Sequence, residues 1–278
     1  MSFTYTATVP FGDHTVFRVA SLLRLERERV GTREGTRTLT PLEQSVMVLV
    51  WMCNATRTSQ LFDDHGVTKS VGYRAIDETV RVLEEHAPDL RTALARARVA
   101  GFDHLIADGV IIETDRVSTP GPTEGVDLWW SGKIHNHGGN EQVLSAPDDG
   151  WPLWVSGVRP GREHDTTALR AAGAPAILEQ WWTFDLREVL LDGGYAGLGR
   201  VEGPLAIPYK KPKGGELTKE QKAHNRIHYA LRAVGERANA LLKVTFRVLR
   251  NVSVTPWKIG SLTRAALVVL QIEHRRTV

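Results

Sequence analysis

Apolar residues in the first hundred positions recur at intervals of three and four, the spacing that lines one face of an α-helix. Thr40-Pro41 opens one such stretch, with a hydroxyl to cap the first turn and a ring already fixed at helical φ. Leu42, Val46, Leu49, Val50 and Cys53 form its apolar stripe. Residues 59–65 make a shorter segment, and Gly66-Val67 turns the chain into a third helix over about residues 68–86. Val71, Ile76, Val80 and Leu83 lie on the apolar side of that helix. Two helices joined by a short Gly-containing turn make the helix-turn-helix pattern, although a plain three-helix bundle has the same periodicity. In the helix-turn-helix reading, the second helix offers Lys69, Tyr73 and Arg74 to phosphates and base edges.

From about residue 102 the period shortens to that of strands. Residues 104–107 and 110–114 are apolar runs on either side of Asp108-Gly109, a hairpin signal. Residues 142–145 and 153–156 flank Pro147-Asp148-Asp149-Gly150, which reads as a second hairpin. Asp165-Thr166-Thr167 supplies capping residues for a helix that continues through Leu169. Residues 187–191 form a short strand with an apolar centre, of the type buried on both faces. Strands, a helix and a buried strand predict a mixed α/β sheet with helices packed on it. Residues 199–217, rich in Gly, Pro and Lys, read as a long loop. The organisation this suggests is an all-helical domain over 1–100 and an α/β domain over 101–278.

Composition changes this picture little, since 42% hydrophobic and 24% charged residues are ordinary globular values. The single cysteine, Cys53, excludes a disulfide framework and a thiolate metal cluster. The first nineteen residues lack a basic patch followed by an apolar core. The longest apolar runs, 46–53 and 265–272, fall short of the about 20 residues that a membrane helix needs. The expectation is a soluble, cytoplasmic protein. Charge alters the picture more. Residues 1–101 hold 13 Lys/Arg against 12 Asp/Glu, residues 102–208 hold 7 against 16, and residues 209–278 hold 15 against 4. Basic surfaces attract phosphate backbones, while clustered carboxylates repel them unless a cation intervenes. Nucleic acid together with a divalent metal reconciles the two halves; uneven surface charge is the plainer account.

A long helix is predicted from Thr218, which forms a capping box with Gln221, to about residue 244. Tyr229, Arg232, Glu236 and Lys243 follow one another at spacings of three, four and seven. At ~100° per residue they share one narrow stripe. Ile227, Leu231, Val234, Ala238 and Leu242 lie on the other side and are expected to be the packing face. Gly235 costs ~1 kcal/mol relative to Ala in mid-helix unless something approaches it closely. Asp108 in HLIADGVII and Asp192 in VLLDGG each interrupt or end an apolar run, and each precedes Gly, so both also suit turns. A carboxylate among buried aliphatic residues needs a cation or a proton. Two or three from separate elements supply the hard oxygen ligands that Mg²⁺ takes while leaving positions open for phosphate oxygens.

These motifs carry a resemblance. LIADGVII, LLDGGYAG and the series Y-x2-R-x3-E-x6-K, reproduced without a gap by Tyr229, Arg232, Glu236 and Lys243, resemble those of bacterial insertion-sequence DDE transposases. The resemblance covers nearly the full chain. It implies an RNase H-like mixed sheet flanked by helices, preceded by a helical domain whose helix-turn-helix spans about residues 40–86. It implies Asp108, Asp192 and Glu236 as catalytic carboxylates holding two Mg²⁺ ions, with Mn²⁺ able to substitute. Tyr229, Arg232 and Lys243 become contacts to the scissile phosphate or its neighbours. The implied partner is double-stranded DNA, both element ends and target, with a homodimer or larger assembly formed on it at the nucleoid. Val110 and Gly193 depart from the family, in which Thr and a basic residue are common at those places.

Lys210, Lys211 and Lys213 in PYKKPKGG serve no apolar periodicity and are expected to meet phosphates across the mouth of the site. Trp129 and Trp130, beside Ser131 and the DNA-contacting Lys133, are the pair expected to stack on DNA. The other tryptophans are expected in cores and interfaces. His135, His137, His164 and Asp165 could hold zinc. SGKIHNHGG, however, looks like the family's loop after the second strand, and Asp165 is expected to cap the helix that follows.

Overall fold

The structure, a computed structural model, describes residues 10–185 and 187–278, with side chains for all of these except 182–185. The reading of the chain's start rests partly on residues 1–9, and that of Trp182 on its side chain; both fall outside what is described. The chain folds into two compact units. One comprises Met1–Ala87, Lys243–Arg250 and Ser261–Arg276; the other comprises Pro88–Leu242, Asn251–Gly260 and Thr277–Val278.

The first unit holds α1 (Asp13–Arg29), α2 (Pro41–Asn54), α3 (Thr58–Asp64) and α4 (Lys69–Glu84). The cap expected at Thr40 forms in both directions: its hydroxyl accepts from the Glu43 amide at 3.2 Å, and its own amide donates to the Glu43 carboxylate at 2.8 Å. Residues 65–68 join α3 to α4, and Gly66 takes the left-handed φ of +63° that this turn requires. α3 lies tightly on α4 because Gly72 has no side chain; a Cβ there would stand 2.2 Å from the Phe62 ring. Glu26 of α1 binds Arg29 at 2.6 Å and reaches Arg81 of α4 at 2.8 Å. Lys69, Tyr73 and Arg74 are all exposed on α4.

The second unit begins with α5 (Leu90–Val99) and is built on β1 (His104–Thr114). β2 (Trp130–Ser131), β3 (Asn136–Ser145), β4 (Pro152–Val155) and β5 (Arg159–Pro160) precede α6 (Asp165–Ala171) and α7 (Ala174–Asp185). β6 (Glu188–Leu190), β7 (Leu205–Ala206), α8 (Lys219–Arg232), α9 (Glu236–Thr245), β8 (Asn251–Val252) and α10 (Ile259–Glu273) follow, the last lying mostly in the first unit. β3 runs antiparallel along one edge of β1, with β4 antiparallel beyond it. β6 runs parallel along the other edge, and β7 parallel to β6. The mixed α/β sheet therefore reads β4-β3-β1-β6-β7 across its middle. Its central strands are apolar on both faces, with Leu105, Ile106, Val189 and Leu190 buried.

Several expectations are corrected here. Asp108-Gly109 makes no hairpin, because β1 passes straight through both residues with Asp108 opposite Val143 and Gly109 opposite Gln142. The expected 199–217 loop contains β7, whose two residues are buried against β6. Residues 136–139 of SGKIHNHGG belong to β3 instead of a loop. The long helix breaks at the 3₁₀ turn Ala233–Gly235 into α8 and α9. Its packing face is also different. Ile227 is 63% and Leu231 42% exposed, whereas Asn225 and His228 are buried. Asn225 bonds both the amide and the carbonyl of Tyr209, at 2.7 and 2.9 Å, and His228 bonds the Leu191 carbonyl at 2.8 Å. Those hydrogen bonds let polar side chains take the buried face. No helix among the described residues is long and apolar enough to cross a membrane.

Candidate active site

The parallel pairing of β1 with β6 sets two aspartates beside one another. Ile106 stands opposite Leu190, where β6 ends; two residues further along, β1 reaches Asp108 and the chain leaving β6 reaches Asp192. Asp192, two residues beyond β6, accepts the Gly194 amide at 2.8 Å and caps the 3₁₀ turn Gly193–Tyr195. Asp108 is half-sheltered in the sheet. Arg232 donates to its Oδ1 and Asn239 to its Oδ2, each at 3.3 Å. Burial pushes the Asp108 carboxyl above the usual carboxylate range; the Arg232 guanidinium opposes that shift, and the charge of Asp192 reinforces it. Lys133 and Asp165 act more weakly, the first lowering and the second raising it.

Arg232 reaches Asp108 because α8 and α9 lie directly on the strand. A Cβ at Gly235 would stand 2.5 Å from Ile106 Cγ2, so this glycine of the turn between α8 and α9 marks a close approach to β1. Glu236 begins α9 immediately after this contact and is exposed. Tyr229 is likewise exposed. Lys243 falls in the other unit, where its carbonyl accepts from Arg250 Nε at 2.9 Å. The structure thus brings Asp108, Asp192 and Arg232 together and leaves Glu236, four residues after Arg232, at the surface. Among the described residues, no three His, Cys, Asp or Glu side chains are gathered so as to hold a metal ion.

On the other face of the sheet lies a group that no sequence motif marks. Asp165 does not cap α6; His164 holds the cap position without a side-chain bond, and Asp165 is the first helical residue. Its Oδ1 accepts from Asn140 at 2.8 Å and its Oδ2 from Lys133 at 3.4 Å. Gln142 donates to Asn140 at 3.0 Å and accepts from the Tyr195 hydroxyl at 2.5 Å. Burial, with the charges of Asp165, Asp108 and Asp192 behind it, pushes the Tyr195 phenol far up, so it stays a donor. The available signal was Gly109, a glycine inside an apolar strand, which marks close approach by something.

The remaining expected residues are scattered. Lys210, Lys211 and Lys213 are exposed, and Lys211 stands 3.9 Å from Glu216. Trp129 is 1% exposed and packs edge-on to Trp257, so it offers no face for stacking, whereas Trp130 is partly exposed. His137 bonds Asp127 at 3.0 Å, and Asp165 is engaged as described, so the conceived zinc group is not assembled.

Residues 107–271 match the family described as DDE superfamily endonuclease. The chain is similar to a probable transposase for insertion sequence element IS702 of Microchaete diplosiphon, 30% identical over 142 residues. That match takes in 51% of this chain and 48% of the relative, so the chain spans about half the length of the curated relative it matches. Two solved structures are also similar. One is piggyBac transposase in a synaptic complex with hairpin DNA, at 11% identity and a TM-score of 0.38, over 96% of this chain and 73% of that one. The other is Mos1 transposase in a paired-end complex with the left transposon end, at 8% identity and a TM-score of 0.21, over 87% and 85%.

Proposed function

The chain belongs to the DDE superfamily endonuclease family, and from that premise we propose that it is an insertion-sequence transposase. It binds the terminal inverted repeats of its element, hydrolyses the phosphodiester at each end and joins the 3′ end to target DNA. The observation that carries this reading is the pair Asp108–Asp192, set side by side by β1 and β6, with Asp108 met by Arg232 of α8, which also bears Tyr229; Glu236 and Lys243 follow on α9. The strand order with β3 reversed supports an RNase H-like core over 101–278. α2, α3 and α4 support a helix-turn-helix within a DNA-binding domain over 1–100, with Lys69, Tyr73 and Arg74 on the reading face.

The donor set suits a hard divalent cation. Asp108 and Asp192 are neighbouring carboxylates, and the cost of ionising Asp108, set first by burial and then by the charge of Asp192, is one that an added cation offsets. Asp108, Asp192 and Glu236 would hold two Mg²⁺ ions, or Mn²⁺ in their place. Bound there, the metal supplies positive charge that activates the attacking oxygen and stabilises the leaving one. Arg232 neutralises Asp108 in the free protein and is the donor that turns to the phosphodiester. By the family signature Tyr229 and Lys243 also contact the DNA, while Lys133, Lys210, Lys211 and Lys213 hold its backbone. Two ends cut and joined together call for a homodimer or larger assembly on DNA, working at the nucleoid.

The test uses duplex oligonucleotides copied from the DNA flanking the gene on each side, with Mg²⁺ and a labelled target duplex. Cleavage at the element boundary followed by joining is the expected result. Binding without cleavage would reduce the protein to a DNA-binding regulator, and cleavage without joining to a metal-dependent nuclease. Full activity in excess chelator would overturn the metal-dependent reading.

A further inference from the structure

α6 touches the site from behind, and no step above uses it. Asp108 and Gly109 are consecutive in β1 and so face opposite sides of the sheet. Asp165 fills the space behind Gly109, where a Cβ would lie 2.3 Å from its Oδ1. Its carboxylate ends a chain that runs from Tyr195 through Gln142 to Asn140, all three buried. The same carboxylate holds the Lys133 ammonium. Two further side chains of α6 grip the loop that follows Asp192. The Thr166 hydroxyl donates to the Gly194 carbonyl at 3.1 Å, and Arg170 donates to the Gly197 carbonyl at 2.6 Å.

We propose that α6 is the positioning element of this site: Asp165 seats it on the sheet and carries Lys133, while Thr166 and Arg170 fix the loop that bears Asp192. The proposal rests on reading Asp192 as a working carboxylate. A largely buried carboxylate is held where donors meet it, as Asn140 and Lys133 do here. A loop whose two carbonyls are held by one helix has little freedom. Asp192 therefore keeps the narrow tolerance that in-line chemistry demands of its ligands. The glycine after Asp108 is explained by the same approach, since any side chain there would expel Asp165.

Amide hydrogen exchange on the full chain tests this without DNA or metal. Exchange at residues 193–198 should quicken by about tenfold or more in Thr166→Val and Asp165→Asn, and stay at the wild-type rate in Thr166→Ser, which keeps the hydroxyl. Exchange in β1 and β3 should not change in Thr166→Val, which separates a loosened loop from general unfolding. Gly109→Ala, whose methyl displaces the Asp165 carboxylate, should reproduce Asp165→Asn. With the duplex ends as substrate, Thr166→Val should lower kcat by about tenfold and raise the Mn²⁺ concentration required, with KM for DNA unmoved and Thr166→Ser restored to wild type. Unaltered exchange at 193–198 in both Thr166→Val and Asp165→Asn overturns the proposal, as does a loss that Thr166→Ser fails to restore. If the wild-type chain cuts no duplex, the transposase reading fails, and the exchange result still decides the role of α6.

Discussion

Three carboxylates carry the proposed chemistry, and each can be replaced by an amide of the same shape. Asp108→Asn, Asp192→Asn and Glu236→Gln should each lower cleavage and joining on the order of a thousandfold or more while leaving end binding intact, measured by gel assay and by binding isotherm. Such a pattern marks a transition-state defect. Any variant that cuts at the wild-type rate removes its residue from the set. Glu236 is the most exposed to that outcome, because it stands at the surface while Arg232 and Asn239 occupy the oxygens of Asp108. At this scale the spacing of Tyr229, Arg232, Glu236 and Lys243 singled out Arg232, which meets Asp108, but could not show that the turn at Ala233–Gly235 interrupts the stripe. The sequence was not legible at Asp165, whose partners Asn140 and Lys133 are 25 and 32 residues away in the chain. Gly109 looked like a turn residue because its true reason, a carboxylate behind the strand, is an encounter made only in the folded sheet.

The starts of α2 and α8 were legible, whereas the cap of α6 and the buried face of α8 were misread. Thr40 with Glu43 and Thr218 with Gln221 form capping boxes, local features that three residues suffice to specify. The buried face of α8 depends instead on distant backbone groups at Tyr209 and Leu191, which no hydropathy pattern contains. Packing between α3 and α4 turns on Gly72. Gly72→Ala should cost about 1–3 kcal/mol in urea unfolding, because the added methyl meets the Phe62 ring from a fixed helix backbone. An unchanged midpoint would show that Phe62 can step aside. α1 and α4 are tied by Glu26, whose carboxyl is lowered from 4.5 to about 2, chiefly by Arg29 and then by Arg81. A folded-state value below the unfolded one means stability that is fully present above about pH 4.5 and lost as pH falls toward 2. Melting curves should therefore show wild type more stable than Glu26→Gln at pH 6, with the gap closing through that window. A gap that persists at pH 2 would assign the effect to packing instead of charge.

On the scale of the whole molecule, charge is sorted along the chain: 16 carboxylates against 7 cations in residues 102–208, then 15 cations against 4 carboxylates in residues 209–278. The acidic stretch supplies Asp108 and Asp192, and the basic stretch supplies Arg232 and the lysine loop. If that sorting serves DNA, two groups of cations should fail in different ways. Lys210, Lys211 and Lys213 are exposed on a segment with few apolar constraints, where cations suit backbone phosphates better than base edges. Replacing all three with Gln should weaken binding to element ends and to unrelated duplex alike. It should also flatten the plot of log affinity against log salt by about 0.9 for each phosphate that the variant leaves without its lysine. Lys69, Tyr73 and Arg74 stand together on the exposed side of α4, where a helix lying in the major groove would meet base edges. Replacing them should erase the preference for element ends over unrelated duplex and move the salt slope less, since binding to base edges releases few counterions. Fluorescence anisotropy across a salt series, with one end duplex and one scrambled duplex, separates the two. A lysine-loop variant whose salt slope is unchanged would make that loop a solvated linker, and would move the DNA path to other cations of the basic stretch.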